Sequence, residues 1–244
     1  MNQDTPLYAV GDIHGHADLL DRALALIEAD GGRAAEVVFL GDLADRGPDT
    51  RGVIQRLIDG VDAGRPWHVL KGNHDRMFSR FVRSAEIHDA RILSGVDWLH
   101  PRLGGPETLA SYGVASSAQT PPESIAEAAR AAVPAAHLDF LDSRPLWVAR
   151  GALLFVHAGI APGVALEAQT EDDLIWIRDP FLNHARPHPW LVVHGHSAVE
   201  VPEHRGNRVN LDGGAGYGRM LHPAVFEGRD AWLLTETGRK PLRP

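Results

Sequence analysis

Four short apolar runs that stop at glycine constrain the fold of this chain more than any other feature. Each run is rich in Val, Leu or Phe, and the four junctions read GDIHG (Gly11–Gly15), GDLADRG (Gly41–Gly47), GNHD (Gly72–Asp75) and FVHAG (Phe155–Gly159). Such runs predict buried strands that break into tight loops. Carboxylate, imidazole and carboxamide groups therefore reach strand ends, where α/β proteins usually build their sites.

The N-terminal part of the chain alternates between strand and helix patterns. Strands are predicted over Leu7–Val10, Val37–Leu40 and Trp67–Leu70, and apolar residues at helical spacing predict a helix over Ala17–Ala29. A second helix is expected to start at Pro48, because proline is favoured in the first helical turn. Two successive strand–helix–strand units predict parallel neighbours joined by right-handed crossovers.

The middle of the chain, from about residue 76 to residue 144, lacks strong strand patterns. Helices are predicted over Arg76–Ile87 and Ile125–Ala132. We interpret this region as a helical insertion packed over one edge of the site. The alternative is an ordinary connection without a functional role.

Strand patterns return after Pro145 and follow one another closely toward the C-terminus, which suggests antiparallel pairing. The predicted strands are Leu146–Ala149, Ala152–Val156, Leu191–Val193, Arg208–Leu211, Ala224–Glu227 and Ala231–Leu234. The expected fold class is α/β, with two mixed β-sheets sandwiched between helices. Residues 1–244 are expected to form a single domain that carries the helical insertion.

Composition limits the chemistry available to such a site. A chain of 244 residues can form one large α/β domain, and its diffuse net charge of −8 argues against specific nucleic-acid binding. The absence of cysteine excludes disulfides and thiolate ligands, so a metal must be held by His, carboxylate or amide oxygen. Met1–Pro6 shows no signal peptide, and no apolar run is long enough to span a bilayer. We therefore expect a cytoplasmic protein without membrane partners.

Taken singly, the polar residues at the strand ends have ordinary explanations. Asp42 fits a helix cap, Asn73 an Asx turn and His157 a satisfied core histidine. Asp12 and His14 are expected on one side of an extended turn, because residues i and i+2 share a face. Together, four strand ends with suitable donors, joined by a fifth histidine-rich one, indicate a metal-dependent phosphoester hydrolase.

The order of the motifs carries a family resemblance. GDIHG, GDLADRG, GNHD, VHAG, IWIRD and HGHS, spread from residue 7 to about residue 220, resemble the phosphoprotein phosphatase (PPP) branch of the calcineurin-like metallophosphoesterases. The similarity is greatest to the bacterial and phage-type enzymes, whose relatives include dinucleoside tetraphosphate hydrolases. No motif covers the helical insertion. The resemblance implies the calcineurin-like sandwich as the fold.

The resemblance also implies a centre of two divalent metal ions. Asp12 and His14 would hold the first ion, Asp42 would bridge both ions, and the second ion would be completed by Asn73, His157 and His196. Manganese is the first expectation, with iron, zinc, nickel and cobalt as alternatives. Such a pair polarises the phosphoryl group and activates water for in-line attack.

Two catalytic residues are implied beside the metal ligands. His74 resembles the general acid of the family, and Asp45 would orient it through its opposite charge. The alternative for Asp45 is a salt bridge to Arg46 or a turn cap.

Phosphate binding is assigned to residues with fixed donors. Arg46 and Arg178 are the guanidinium candidates, because the fork of arginine pairs two oxygens at once, and Asn73 and Tyr217 would assist. The alternatives are a surface arginine for Arg178 and a plain tight turn around Tyr217.

Two further residues are expected near the centre without being ligands. His194 stays outside the ligand set, although it would share a face with His196. Asp212 is expected to support a metal-binding histidine.

Three functions follow from these assignments. The leading hypothesis is a serine/threonine protein phosphatase with additional activity on phosphotyrosine, because Asp45 retains the Asp of the DRG motif that the tetraphosphatase branch tends to replace. The alternative is a hydrolase of dinucleoside polyphosphates such as diadenosine tetraphosphate. The third is a catalytically silent binding module, which the complete ligand set disfavours. The partner is then a phosphorylated protein or a small phosphorylated molecule, and the oligomeric state stays open.

Overall fold

The computed structural model describes residues 5–92 and 94–244, so most of the polar segment Met1–Pro6 lies outside the described residues. The N-terminal part forms β1 (Leu7–Val10), α1 (Ala17–Gly31), β2 (Glu36–Phe39), α2 (Thr50–Asp62) and β3 (Trp67–Val69). β1 pairs with β2 and β2 with β3, both in parallel. The predicted alternation and strand direction are therefore confirmed.

The start of α2 differs from the sequence prediction. The helix begins at Thr50, because the Asp49 side chain accepts a hydrogen bond of 2.8 Å from the backbone N–H of Gly52 and caps it. Pro48 lies ahead of this cap and is not the first helical residue. Aspartate is among the strongest capping residues, so it sets the boundary here.

The insertion is helical, but its first helix starts earlier than predicted. Its elements are α3 (Asn73–Ser84), α4 (Gly105–Ser111), α5 (Pro122–Ala132) and α6 (Ala135–Asp142). The Asp75 carboxylate accepts the backbone N–H of Gly72 at 2.8 Å, which anchors the start of α3 inside the GNHD motif. The prediction of Arg76–Ile87 was therefore wrong at both ends, and α4 and α6 were missed because they are short.

The C-terminal part contains the remaining strands and two short helices. The elements are β4 (Trp147–Arg150), β5 (Leu153–Val156), α7 (Glu171–Trp176), α8 (Asp179–Leu182), β6 (Leu191–His194), β7 (Glu203–His204), β8 (Arg208–Asn210), β9 (Ala224–Glu227), β10 (Asp230–Thr235) and β11 (Gly238–Leu242). Neither β7 nor β11 was predicted from the sequence, and β7 has only two residues.

These strands build two mixed sheets, as predicted. The first has six strands in the order β11-β10-β9-β1-β2-β3, and the second has five in the order β4-β5-β6-β8-β7. The antiparallel expectation holds for β9 with β10 and for β4 with β5. It was wrong for β5 with β6 and for β6 with β8, which are parallel. Long connections through α7 and α8 and through β7 permit these crossovers.

Alternation along the strands places one core between the sheets and one outside each sheet. Leu7 and Ala9 pack between the sheets with Phe155 and Val193. Tyr8 and the other outward side chains of the first sheet pack against α1, α2 and the helical insertion. Outward side chains of the second sheet pack against α7 and α8. This layering matches the predicted sandwich.

Among the described residues, no helix is both long enough and apolar enough to cross a bilayer.

Candidate metal and phosphate site

The loops that follow β1, β2, β3, β5 and β6 converge on one buried cluster. All six predicted ligands are 8% exposed or less, and they are Asp12, His14, Asp42, Asn73, His157 and His196. Each lies within a few residues of a strand's carboxyl end. The structure thus brings together every residue that the sequence assigned to the metal centre, while their roles as ligands stay predictions.

The backbone of these loops is unusual. Among the described residues, the non-glycine residues with positive φ are His14, Asp42, Asp45, Arg46 and His196, together with Ala85 outside the site. Such conformations are costly for residues with a Cβ and cluster at functional sites. His14, at φ 48°, departs from the extended turn that the sequence predicted for Asp12 to His14. The extended conformation was therefore wrong at His14, although both side chains lie in the buried cluster.

Two groups of ligand atoms form within this cluster. One contains His14, Asp42 and His74, and the other contains Asp42, His157 and His196, each with its ligand atoms within 4.8 Å of one another. Asp42 belongs to both groups, which is the position that a bridging carboxylate requires. The carboxylate of Asp12 instead accepts the backbone N–H of His196 at 3.0 and 3.2 Å.

The histidine rings present lone pairs to the cluster. Nδ1 of His14 donates to the carbonyl of Ala44 at 2.8 Å, and Nδ1 of His157 donates to that of Leu40 at 2.8 Å. These hydrogen bonds leave Nε2 as the inward atom of each neutral ring. Nδ1–H bonds of this kind fix the tautomer of metal-binding histidines.

Inside the cluster, imidazole nitrogens lie close to side-chain oxygens that are themselves hydrogen-bond acceptors. Nε2 of His157 lies 3.0 Å from Oδ1 of Asn73 and 3.4 Å from Oδ1 of Asp42. Nε2 of His196 is buried without a hydrogen-bond partner among the described residues. A proton on His157 or a bound cation satisfies this set, and its oxygen and imidazole groups suit Mn, Fe or Zn. The residues therefore fit the divalent metal ions that the family resemblance implies.

The pKa shifts of the buried acidic and histidine residues also indicate that this cluster is stabilised by positive charge. Burial and the nearby charge of Asp212 raise the pKa of Asp12 well above its usual range. Burial would also raise the pKa of Asp42, but the charges of His157 and His74 outweigh it and hold that pKa well below the usual range. Burial lowers the pKa of His157, and the Asp42 carboxylate overcomes this and raises it to about 10. A proton on His157 balances the buried carboxylates in the protein alone.

His74 is held by a buried network centred on Asp45. Its Nδ1 lies 2.6 Å from Oδ2 of Asp45, which is fully buried. Trp98 Nε1 donates to the same oxygen at 2.8 Å, and Thr108 Oγ1 donates to Oδ1 at 2.8 Å. The predicted orientation of His74 by Asp45 is present, whereas an ion pair of Asp45 with Arg46 is absent from the described residues. Neither Trp98 nor Thr108 was predictable from the sequence, because the insertion carries no motif.

Asp75 joins two of the loops. Its Oδ1 accepts the N–H groups of Leu43 at 2.8 Å and Ala44 at 3.2 Å, while Oδ2 accepts that of Gly72. Burial, together with the charge of Asp42, raises the pKa of Asp75 to about 6. The sequence analysis noted Asp75 as the last residue of GNHD but assigned it no role. Its position in the motif was the available signal.

The predicted phosphate-binding residues line one cavity of about 610 Å³, together with Asp42, Asn73 and His196. The Arg46 guanidinium spans the site, with Nη1 2.7 Å from Nε2 of His14 and Nη2 3.1 Å from Nε2 of His74. Arg178 also lines this cavity and donates to Oγ of Ser197 at 3.1 Å. Tyr217 is 61% exposed, and the Arg46 guanidinium lies 4.8 Å above its ring. We call this space the reaction cavity.

His194 and Asp212 differ in their relation to the site. Nε2 of His194 lies 3.3 Å from the Arg208 guanidinium, and its ring packs edge-on against Phe181. It lies outside both groups of ligand atoms, as its exclusion from the ligand set anticipates. Asp212 lines the reaction cavity, but its carboxylate accepts the N–H of Gly214 and contacts no histidine within the described residues. The predicted support of a histidine by Asp212 was therefore wrong.

A sandwich of two mixed sheets with Asp, His and Asn donors at its strand ends defines the metallophosphoesterase class of α/β proteins. The family model described as calcineurin-like phosphoesterase matches residues 5–218. The chain therefore belongs to the calcineurin-like phosphoesterase family. The predicted family, fold and phosphoesterase class are thereby confirmed.

Several proteins with similar sequences are named as bis(5'-nucleosyl)-tetraphosphatases. A symmetrical bis(5'-nucleosyl)-tetraphosphatase from Ralstonia nicotianae is 30% identical over 157 residues, which are 64% of this chain and 43% of that protein. An asymmetrical bis(5'-nucleosyl)-tetraphosphatase PrpE from Anoxybacillus flavithermus is 25% identical over 240 residues, covering 87% of this chain and 86% of that protein. The chain spans less than half the length of the first curated relatives it matches.

A solved structure supports the fold. A protein provisionally described as a diadenosine tetraphosphatase superposes with a TM-score of 0.66 at 22% identity, covering 96% of this chain and 94% of that one. At this level of identity the similarity concerns the fold alone.

Proposed function

We propose that this protein is a divalent-metal-dependent hydrolase that cleaves the phosphoanhydride bonds of dinucleoside polyphosphates. The observation that carries the proposal is the position of Asp42, which belongs to both groups of ligand atoms and lines the reaction cavity beside Arg46. The names of the relatives support this substrate more than they support a phosphoprotein. The protein phosphatase hypothesis therefore becomes the second candidate, favoured by the retained Asp45.

Asp12, His14, Asp42, Asn73, His157 and His196 would hold the metal ions. When bound, two such ions supply positive charge to the phosphoryl oxygens and lower the pKa of water. Around them, the protein contributes a dry, fixed arrangement of groups. The strained loops at His14 and Asp42 are over-determined by backbone hydrogen bonds, such as that from His14 N–H to the Asp42 carbonyl at 2.8 Å.

Two arginines would bind the phosphate chain. Arg46 reaches into the ligand cluster, and its buried Nε has no hydrogen-bond partner among the described residues. Arg178 is exposed and also lines the reaction cavity. Two cations in one cavity suit a chain of several phosphates, and guanidinium groups pair with two phosphate oxygens at once.

His74 would give its proton to the departing oxygen. Its Nδ1 is committed to Asp45, so Nε2 is the atom that faces the reaction cavity, 3.1 Å from the Arg46 guanidinium. The buried Asp45 carboxylate fixes the orientation of the ring. Proton donation of this kind contributes about 10²–10⁴-fold to the rate.

A side-by-side assay tests the proposal. The Mn²⁺-loaded protein is incubated with diadenosine tetraphosphate, a phosphoserine peptide and an aryl phosphate, and kcat/KM is measured for each. We expect the dinucleotide to give the highest value. A higher value for the phosphopeptide would select the second candidate, and no turnover of any substrate would refute both and leave the silent binding module.

A further inference from the structure

A second cavity of about 430 Å³ adjoins the reaction cavity, and no motif assigns it a role. The two spaces share the walls formed by Arg46, Ser94, Leu103 and Tyr217. We call the second space the side cavity. A molecule with one phosphate at Arg46 can therefore extend into the side cavity without leaving the protein surface.

The side cavity contains a carboxylate that lacks a partner. Glu107 lines it, and Oε2 of Glu107 is buried without a hydrogen-bond donor among the described residues. Glu107 lies in the first turn of α4, where the helix dipole favours a negative charge. The dipole of α4 stabilises the negative charge of Glu107, but it provides no hydrogen-bond donor for Oε2. A buried acceptor of this kind is costly, and rotation of the Glu107 side chain toward a donor bound in the side cavity would relieve that cost.

The other walls are apolar, aromatic and cationic. Val96, Pro101 and Leu103 supply the apolar surface, while Tyr217 keeps 61% of its surface exposed at the entrance. Arg102 adds a positive charge to that of Arg46. The side cavity thus offers a flat aromatic contact, an apolar wall, one acceptor and two cations.

We propose that the side cavity binds the nucleoside portion of the substrate. A nucleoside 5'-phosphate matches each of these groups: its base has an aromatic face, its ribose hydroxyls or amino group donate to Glu107, and its phosphates meet Arg46 and Arg102. This assignment rests on the proposed function, because it places the part of a dinucleoside polyphosphate that lies beyond the reacting phosphate. Glu107 and Tyr217 are then the residues that select a nucleotide over a simple phosphate ester.

Calorimetric titration of the Mn²⁺-loaded protein with ADP and with pyrophosphate tests this inference, and each titration is repeated with a chelator. Both ligands carry two phosphates, and only ADP carries a nucleoside. In Glu107→Ala we expect the Kd of ADP to rise about tenfold, as the loss of a hydrogen bond to a charged group predicts, with a smaller change for pyrophosphate. Glu127→Ala is the matched control, because Glu127 is exposed on α5, away from both cavities.

Tyr217 gives a second variant pair that does not depend on the folding of the Glu107 variant. Tyr217→Phe keeps the aromatic face and removes only the hydroxyl, so it is expected to bind ADP more tightly than Tyr217→Ala. Tyr217→Ala removes it and is expected to weaken ADP about tenfold, the usual order for base–aromatic stacking. Thermal melts of all variants confirm that the fold is intact.

Several outcomes overturn the inference. They are equal affinity of the wild type for ADP and pyrophosphate, no ADP binding under either condition, an unchanged Kd of ADP in Glu107→Ala, and an equal loss for both ligands. The proposed function fails separately. A protein that binds ADP through Glu107 but does not hydrolyse diadenosine tetraphosphate refutes only that function. Hydrolysis of the dinucleotide with no effect of Glu107 refutes only the nucleoside site.

Discussion

The imidazole of His74 and the carboxylate of Asp45 are joined by a 2.6 Å contact between Nδ1 and Oδ2, at the base of the reaction cavity. Asp45 is fully buried and receives further hydrogen bonds from Trp98 and Thr108 of the insertion. The orientation of His74 therefore depends on a region of the chain that carries none of the family motifs.

His74→Asn should slow hydrolysis while leaving metal content unchanged, because His74 is proposed to donate a proton. The effect should be largest for substrates with strongly basic leaving groups, with a loss of about 10²-fold or more for these. A series of aryl phosphates of different leaving-group pKa measures it. Equal slowing across the series would remove His74 from the role of general acid.

Trp98→Phe should reduce kcat without preventing folding, because it removes only the N–H group that donates to Asp45. The ring can still pack against Phe81, whose centroid lies 4.7 Å away. A lost hydrogen bond to a buried charged group costs about 1.5–3 kcal/mol, and we expect both stability and kcat to fall. Trp232→Phe, in β10, is the control. Unchanged kcat in Trp98→Phe would show that Thr108 and His74 suffice to hold Asp45.

Gly104→Ala should disable the site through Arg46. Gly104 has φ 89°, and a Cβ there would lie 2.1 Å from the backbone N of Arg46. Gly113 has φ 77° with open space around it, so Gly113→Ala is the matched control. Each change costs about 1–2 kcal/mol of backbone strain, but only Gly104→Ala should also lower phosphate affinity. Denaturant melts and pyrophosphate binding distinguish the two effects, and similar binding in both variants would contradict the prediction.

Asp42→Asn should lower the affinity for Mn²⁺ and abolish metal-dependent turnover, because Asp42 belongs to both groups of ligand atoms. We expect a loss of at least about tenfold in affinity, measured by metal analysis after dialysis and by titration. Asp62→Asn, at an exposed position at the end of α2, is the control. Near-normal turnover in Asp42→Asn would exclude a bridging role.

The stability of the protein should fall on acidification, in part through His137. This histidine is 1% exposed, and burial lowers its pKa, with a contribution from the charge of Arg51. Its Nδ1 lies 2.8 Å from the Tyr112 hydroxyl and its Nε2 2.9 Å from Oε1 of Gln55. The neutral ring accepts from Tyr112 and donates to Gln55, and a proton on Nδ1 would break this arrangement.

The direction of this change in stability with pH follows from the lowered pKa of His137. Above the ordinary histidine value of 6.5 both the folded and unfolded states are neutral, and the stabilisation is fully present. As the pH falls below that value, the unfolded state takes up a proton first, so the free energy of unfolding decreases, by at most about 1.4 kcal/mol per pH unit for one group. Urea melts at about pH 7.5 and about pH 5.5 should show a smaller decrease in His137→Gln than in the wild type. Equal decreases would mean that His137 titrates alike in both states.

The family, the sandwich and the set of donor residues were predictable from the sequence. Each motif lies directly after a buried strand, and strand–helix alternation predicted parallel β1, β2 and β3, so Asp12, Asp42 and Asn73 were expected at one edge. The parallel pairing of β5 with β6, which brings His157 and His196 to the same site, was not predicted. Helix boundaries were less predictable. Asp49 and Asp75 accept backbone N–H groups and move the starts of α2 and α3 away from the positions that periodicity indicates.

Only the tertiary structure decided how the insertion acts on the site. Trp98 and Thr108 are distant in sequence from Asp45, and nothing local marks them as hydrogen-bond donors to it. The turn of the chain at His14 and the buried, unpartnered Oε2 of Glu107 likewise depend on packing between segments that have no shared pattern. The sequence by itself determined which polar residues lie at the strand ends, because each motif directly follows a buried apolar run. The residues that hold His74 and line the side cavity depended on the folded chain, because long-range packing leaves no periodic signal.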